Sequence, residues 1–141
     1  LLCLSAEALG IMEVLNRLTV EYSKTRKQFG APIGSFQALQ HRMVDNFMAF
    51  EQSKSMVYRG ICESTSFNKN DIDINQFLKT AHAVKALIAK NSKQIGDESI
   101  QIHGGIGMTD ELNIGHFVKR LMMINVLFGD GDFHRQCFSQ N

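Results

Sequence analysis

Three short stretches of the chain carry the residue types from which a binding or catalytic site is built. The first, RKQFGAPIGSFQ from Arg26 to Gln37, holds an arginine, an isolated phenylalanine and the only proline of the chain. Arg26 offers a fork of donors that suits a phosphate, and Phe29 a flat apolar face that suits an aromatic ring. The same stretch also reads as a plain helix terminus. In that reading Gly30 lies just past the last turn, Arg26 and Lys27 favour the negative end of the helix dipole, and Phe29 folds over the loop.

The second stretch, QIHGGIGMTDE, runs from Gln101 to Glu111. Its paired glycines allow a backbone to approach a bulky anion closely, and a helix starting at Thr109 would add oriented N–H groups. The spacing is not GxGxxG and no strand precedes it, which excludes a Rossmann nucleotide site. A glycine-rich corner between helices accounts for the same residues. The third stretch, NVLFGDGDFHRQ, places Asp130, Asp132 and His134 close together, as metal ligands or an acid–base group would be. Alternating small and acidic residues at a helix entrance are more often caps, and no metal site is assigned. His103 and His116 lack partners at helical spacing and read as structural or surface histidines. No nucleophile–base pair is apparent, so the catalytic residue is unassigned.

These stretches fall at the ends of periodic segments. Ala8, Ile11, Leu15, Leu18 and Tyr22 recur at steps of three and four, which predicts a helix over 4–28 that ends near Gly30. Ser35 is placed to cap a second helix over 35–66, with Leu39, Met43, Phe47, Phe50, Val57 and Ile61 on its apolar stripe. The polar run NKNDID interrupts the pattern. A third helix is expected over 73–103 through Phe77, Ala81, Val84, Ile88 and Ile95, with Gly96 a weak point inside it and the glycines of GGIG stopping it. A fourth is expected over 109–127, because TDE supplies a capping hydroxyl and two carboxylates at the positive end of a dipole. A short last helix from about Asp132 completes the reading. With no strong strand signal and no repeat, the expected fold is all-α, an antiparallel up-and-down four-helix bundle forming a single domain over 1–141.

The chain has 141 residues, 44% apolar and 21% charged, with a net charge of +1. That suits one domain with its own core and gives no electrostatic case for a nucleic-acid or membrane partner. Cys3, Cys62 and Cys137 are odd in number and widely separated, which predicts thiols in a reducing cytoplasm rather than a disulfide framework or zinc site. The first residue is Leu1, within a helical pattern, and the expectation is a fragment of a longer polypeptide.

Taken in order, RKQFG, FQALQHRM, a helix bearing Lys85, SIQIHGGIGMTDE and a glycine after an apolar run resemble the C-terminal helical domain of the acyl-CoA dehydrogenases. The resemblance covers essentially the whole chain. Members of that family are flavoproteins with an N-terminal helical domain, a middle β domain and a C-terminal four-helix bundle, which forms the core of a dimer or tetramer. The resemblance implies FAD as cofactor, an acyl-CoA substrate, α,β-dehydrogenation of its thioester, and electron-transfer flavoprotein as the electron acceptor.

By the resemblance, Arg26 approaches the FAD pyrophosphate, Phe29 packs on the adenine portion and Gln37 hydrogen-bonds the cofactor. Gln101, Ile102, His103, Gly104 and Gly105 line the same dinucleotide from a partner subunit. Asp130 to Asp132 match the segment that closes over FAD, where the family usually carries threonine and glutamine. Phe128 and Gly129 fall at the acyl substrate, and here the chain departs from the pattern. Many members place their proton-abstracting glutamate immediately before the glycine matching Gly129, and phenylalanine has no basic group. Other members draw the base from the helix leading into RKQFG, at a position immediately before Leu1. The alternative is a non-catalytic, FAD-binding assembly subunit of a heteromeric enzyme.

Overall fold

The computed structural model describes residues 1–68, 73–109 and 111–140. The helices are α1 (Leu2–Thr25), α2 (Gln37–Asn68), α3 (Ile74–His103), α4 (Ile114–Val126) and α5 (Gly131–Gln140). Between α1 and α2 lies a small hairpin of β1 (Lys27–Gln28) and β2 (Ala31–Pro32). The fold is the all-α bundle expected. Its centre is α3, which packs against α1, α2, α4 and α5.

Helix α3 begins where its sequence says it should. The Asp73 carboxylate accepts the Asn75 N–H at 3.0 Å, satisfying one of the orphan donors of the first turn. It ends at Gly104, whose φ of 67° is a conformation that side-chain-bearing residues seldom adopt. Along its length Ala81, Val84, Ile88 and Ile95 are buried at helical spacing. Helix α3 continues unbroken through Gly96, where an added Cβ would meet Val118 at an ordinary contact distance of 3.6 Å.

The core combines Ala8, Met12 and Leu15 of α1, Phe50 and Val57 of α2, the α3 row, and Ile114, Val118, Leu121 and Ile124 of α4. Small polar residues share the inner faces. Asn91 donates to the Ala49 carbonyl and to the Ser53 hydroxyl, both at 3.0 Å, which satisfies buried polar groups between α2 and α3. The stripe expected on α2 is only partly internal, since Phe47 and Ile61 are exposed while Asn46, Ser53 and Gly60 face inward.

Several expected boundaries are corrected. Helix α1 ends at Thr25, and Gly30 is a hairpin residue rather than a helix terminus. Ser35 does not cap α2, because its hydroxyl donates to the Pro32 carbonyl at 2.7 Å inside a single 3-10 turn. Helix α4 starts at Ile114 rather than Thr109, since a 3-10 segment over Gly104–Met108 must finish first. The Thr109 hydroxyl donates to Ile106 and receives the Glu111 N–H at 3.4 Å, so it caps a turn. Most of NKNDID and the Asp110 carboxylate of TDE lie outside the described residues.

Candidate functional site

The first cluster is built on the hairpin. Arg26 closes α1 by donating its N–H to the Tyr22 carbonyl at 2.8 Å, then turns the chain into an extended conformation. Its own carbonyl accepts the Ile33 N–H at 2.8 Å, which ties the far end of the hairpin back to the helix. Lys27 pairs with Pro32 and Gln28 with Ala31, leaving Phe29 and Gly30 as the two turn residues. Of the two turns that close a two-residue hairpin, type I′ has positive φ at both positions. Phe29 meets this at 55° and Gly30 at 79°.

Phe29 is therefore not folded over the loop. It is 93% exposed, and its ring meets the Phe36 ring edge-on at 6.2 Å. Gln37 opens α2 and is exposed, as is Arg26. Among the described residues Arg26 makes no side-chain ion pair. A forked cation, a bare aromatic face and an amide thus lie exposed along the hairpin and the start of α2, a set suited to an anion joined to a flat ring.

The second cluster lies at the same end of the bundle. The Tyr22 hydroxyl, one helical turn before Arg26, donates to the His103 carbonyl at 3.3 Å, and the two rings stack with centroids 4.4 Å apart. His103 Nδ1 is 2.7 Å from the Ser99 carbonyl, so that nitrogen carries the hydrogen. Burial lowers the His103 pKa and the Ser99 carbonyl works against that shift. Ile102 and His103 are both buried, whereas Gln101, Gly104 and Gly105 are exposed. Beside His103 a cavity of about 370 Å³ is lined by Leu18, Tyr22, Thr25, Leu112 and Ile114, with Glu21 and Glu111 on its rim.

The third cluster is elsewhere. Helix α4 ends at Val126, and the chain reverses through Phe128 at φ 60° and Gly129 at φ 104°. A Cβ at Gly129 would stand 2.5 Å from Phe133 Cδ1 and 3.2 Å from His134 Nε2, so both the angle and the space demand glycine. Asp130 caps α5 by accepting the Phe133 N–H at 2.8 Å, and Asp132 pairs with Arg135. His134 turns inward to His82. The three residues that looked like a metal or acid–base group thus point to three different partners. Among the described residues no group of three His, Cys, Asp or Glu side chains could hold a metal ion. Phe128 remains 74% exposed at the apex.

Beneath that apex lies Lys85, fully buried, whose Nζ donates to the Ile124 carbonyl in the last turn of α4. Burial lowers its pKa, because a desolvated ammonium is disfavoured. Lys85 and His103 stand about 27 Å apart along α3 at the helical rise of about 1.5 Å per residue. One copy of the chain therefore joins the hairpin to the Gly104 corner and keeps the Phe128 turn remote from both. Sequence reasoning missed Tyr22 and His82 as site residues. Tyr22 was legible only as a core position, and the spacing of His82 and Lys85 on one α3 face was the sole sign of the second.

A helical bundle with two such glycine-marked corners defines a class of domain, and comparison with known proteins places it. The family model for the acyl-CoA dehydrogenase C-terminal domain matches residues 2–141. The chain belongs to that family. Acyl-CoA dehydrogenase IpdE2 of Mycolicibacterium smegmatis is 40% identical over 119 residues, covering 84% of this chain and 34% of that protein. The short-chain-specific acyl-CoA dehydrogenase of Megasphaera elsdenii is 27% identical over 128 residues, covering 91% and 32%. Among solved structures, butyryl-CoA dehydrogenase of Megasphaera elsdenii superposes with a TM-score of 0.87 at 25% identity, over 99% of this chain and 34% of that one. The FAD complex of PigA superposes at 0.84 and 28% identity, over 98% and 34%. The chain thus spans about a third of the length of the relatives it matches. Among the described residues no helix is long and apolar enough to cross a membrane.

Proposed function

We propose that this chain is the cofactor- and subunit-contacting part of an FAD-dependent acyl-CoA dehydrogenase. The observation that carries this is the exposed set of Arg26, Phe29 and Gln37 along a strained hairpin and the helix start that follows it, with no ion-pair partner for the guanidinium among the described residues. In this reading Arg26 binds the pyrophosphate, Phe29 covers the adenine and Gln37 donates or accepts at the cofactor. Gln101, Gly104 and Gly105 present side chain and bare backbone to the same dinucleotide from a second copy, while Ile102 and His103 stiffen that corner from within. When bound, FAD supplies the acceptor for hydride leaving the β-carbon of the acyl thioester.

On this reading a second copy brings its Phe128 turn to the flavin held at the hairpin, because the two are far apart in one chain. The exposed α2 row of Val44, Phe47, Met48 and Tyr58 supports self-association into a dimer or tetramer, since a patch of that kind seeks cover. Acyl-CoA as substrate and electron-transfer flavoprotein as electron acceptor belong to the same proposal.

Phe128 favours a second reading. It stands at the exposed apex where a glutamate would be needed for proton abstraction, and a phenyl ring cannot take a proton. Either the base comes from a segment of the protein before Leu1, with Phe128 a wall of the acyl pocket, or this is a non-catalytic assembly subunit. Flavin content of the purified full-length protein tests the first reading. Arg26→Ala should lower FAD affinity tenfold or more, for a charge-assisted bond of about 1.5–3 kcal/mol, and Arg26→Lys should lower it less. Equal flavin content in wild type and both variants would remove Arg26 from the site. Anaerobic flavin bleaching by acyl-CoAs separates the two readings: activity in a lone homo-oligomer rules out the assembly subunit, and activity only after Phe128→Glu or with a co-expressed partner supports it.

A further inference from the structure

His134 is 1% exposed, directly under the Phe128 turn. Its Nε2 is 3.1 Å from the Phe128 carbonyl, and its Nδ1 is 2.8 Å from Nδ1 of His82. A carbonyl only accepts, so His134 Nε2 carries hydrogen and, in the neutral ring, Nδ1 is a lone pair. His82 Nδ1 must then be the donor. The result is a directed relay, His82 to His134 to the Phe128 carbonyl, anchored on α3 and ending on the one residue of the turn with a positive φ and a side chain.

Lys85 follows His82 by one turn of α3 and fastens the other side of the same turn through the Ile124 carbonyl. The last turn of α4 and the apex are therefore both held from α3. No part of this arrangement touches the hairpin or the Gly104 corner.

The pair can hold only so many protons. With one added at His82 Nε2, His82 still donates from Nδ1 to the His134 lone pair, so the contact survives. With two added, both Nδ1 atoms carry hydrogens that face each other at a distance that permits neither. The groups around the pair are Lys85 on α3 and Asp130 at the entrance of α5. Asp132 and Arg135 engage each other in the exposed first turn of α5, and Lys79 lies over Phe138 farther along it. No charged α4 side chain contributes to the field at His134. Burial lowers the His134 pKa most, His82 and Lys85 lower it further, and the Phe128 carbonyl and Asp130 oppose the shift.

We propose that His82 and His134 are positioning residues for the Phe128 turn, a paired imidazole latch that holds Phe128–Gly129 in one conformation and releases it when the pair is fully protonated. The sign follows from the depressed His134 pKa. The neutral form is the folded form, so the latch is intact above the ordinary histidine value of about 6.5 and is lost as pH falls through the lowered one. This is independent of the acyl-CoA reading, because the measurement uses neither substrate nor added flavin.

The test is hydrogen exchange by mass spectrometry on the full-length protein, corrected for intrinsic rates, over about pH 5 to about pH 8. Peptides spanning 127–133 should be protected above neutrality and lose protection about tenfold or more on the acid side, while α1 peptides stay protected. His134→Gln keeps a side-chain N–H for the Phe128 carbonyl but cannot titrate, so the turn should stay protected and become flat with pH. His134→Leu should expose the turn at every pH, and His82→Leu should weaken it. A flat wild-type profile would overturn the proposal. So would His134→Gln tracking the wild type, His134→Leu protecting the turn as the wild type does, or the whole bundle opening together at the acid transition.

Discussion

The molecule makes the same local motif twice and holds it by opposite means. Phe29–Gly30 and Phe128–Gly129 each place an exposed phenylalanine at positive φ before a glycine at positive φ. The left-handed conformation costs a non-glycine residue about 1–2 kcal/mol. At Phe29 the strain is carried by a hairpin of two paired residues on each side, with open space around Gly30. At Phe128 it is carried from below, by Lys85 and the His82–His134 pair, with Phe133 pressed against Gly129. The first turn is held through its backbone and the second through buried side chains, so the first should be indifferent to core substitution and pH and the second should answer to both.

The largest effect expected on this contrast is at Lys85. Lys85→Ala removes a fully buried side chain and leaves the Ile124 carbonyl without its donor, which should cost about 3 kcal/mol or more in chemical denaturation. Lys85→Met refills the volume and also removes the buried charge, so it should cost distinctly less. Hydrogen exchange of 26–33 should be unchanged in both variants. A loss at the hairpin equal to that at the Phe128 turn would show that the two turns are not separately supported.

Next in size are the paired glycine substitutions. Gly129→Ala meets Phe133 and His134 as well as an unfavourable angle, and should cost about 2–3 kcal/mol. Gly30→Ala meets nothing within 4 Å, so only the angle opposes it and about 1 kcal/mol should be lost. Thermal melts of the two variants side by side give the difference, and equal losses would refute the claim that packing supports only the second turn.

The sequence made this contrast half visible. Helix α3 was legible at both ends because its signals are local: an aspartate whose carboxylate reaches the second N–H, and a glycine that the helix cannot carry past. The hairpin was not, because two-residue strands are too short for alternation to register. Phe-Gly also lacks the small polar residue that usually marks such a turn. The start of α4 was misplaced because Thr109 has the chemistry of a cap but sits at the end of a 3-10 segment. Arg26, Phe29 and Gln37 were found together because they are neighbours in sequence. The Tyr22–His103 stack and the His82–His134 pair join residues 81 and 52 positions apart, which only the packing of α1 and α5 on α3 brings into contact.

The smallest expected effect on stability is the most informative about use. Phe29→Gly relieves a left-handed phenylalanine but frees the unfolded chain by a comparable amount, so stability should change by less than about 1 kcal/mol. Phe128→Gly should behave alike, since that ring too is mostly exposed. A bulky apolar ring that adds little to the fold and costs strain where it stands is explained by what it contacts outside the chain. The two should therefore separate in function while matching in stability: on the reading proposed above, Phe29→Gly lowers flavin retention and leaves acyl preference alone, and Phe128→Gly does the reverse. Denaturation curves, bound-flavin absorbance and bleaching by acyl-CoAs of several lengths measure all three quantities on the full-length protein. If Phe29→Gly kept full flavin content while costing several kcal/mol, its ring would be a structural prop, and the hairpin would lose its place in the site.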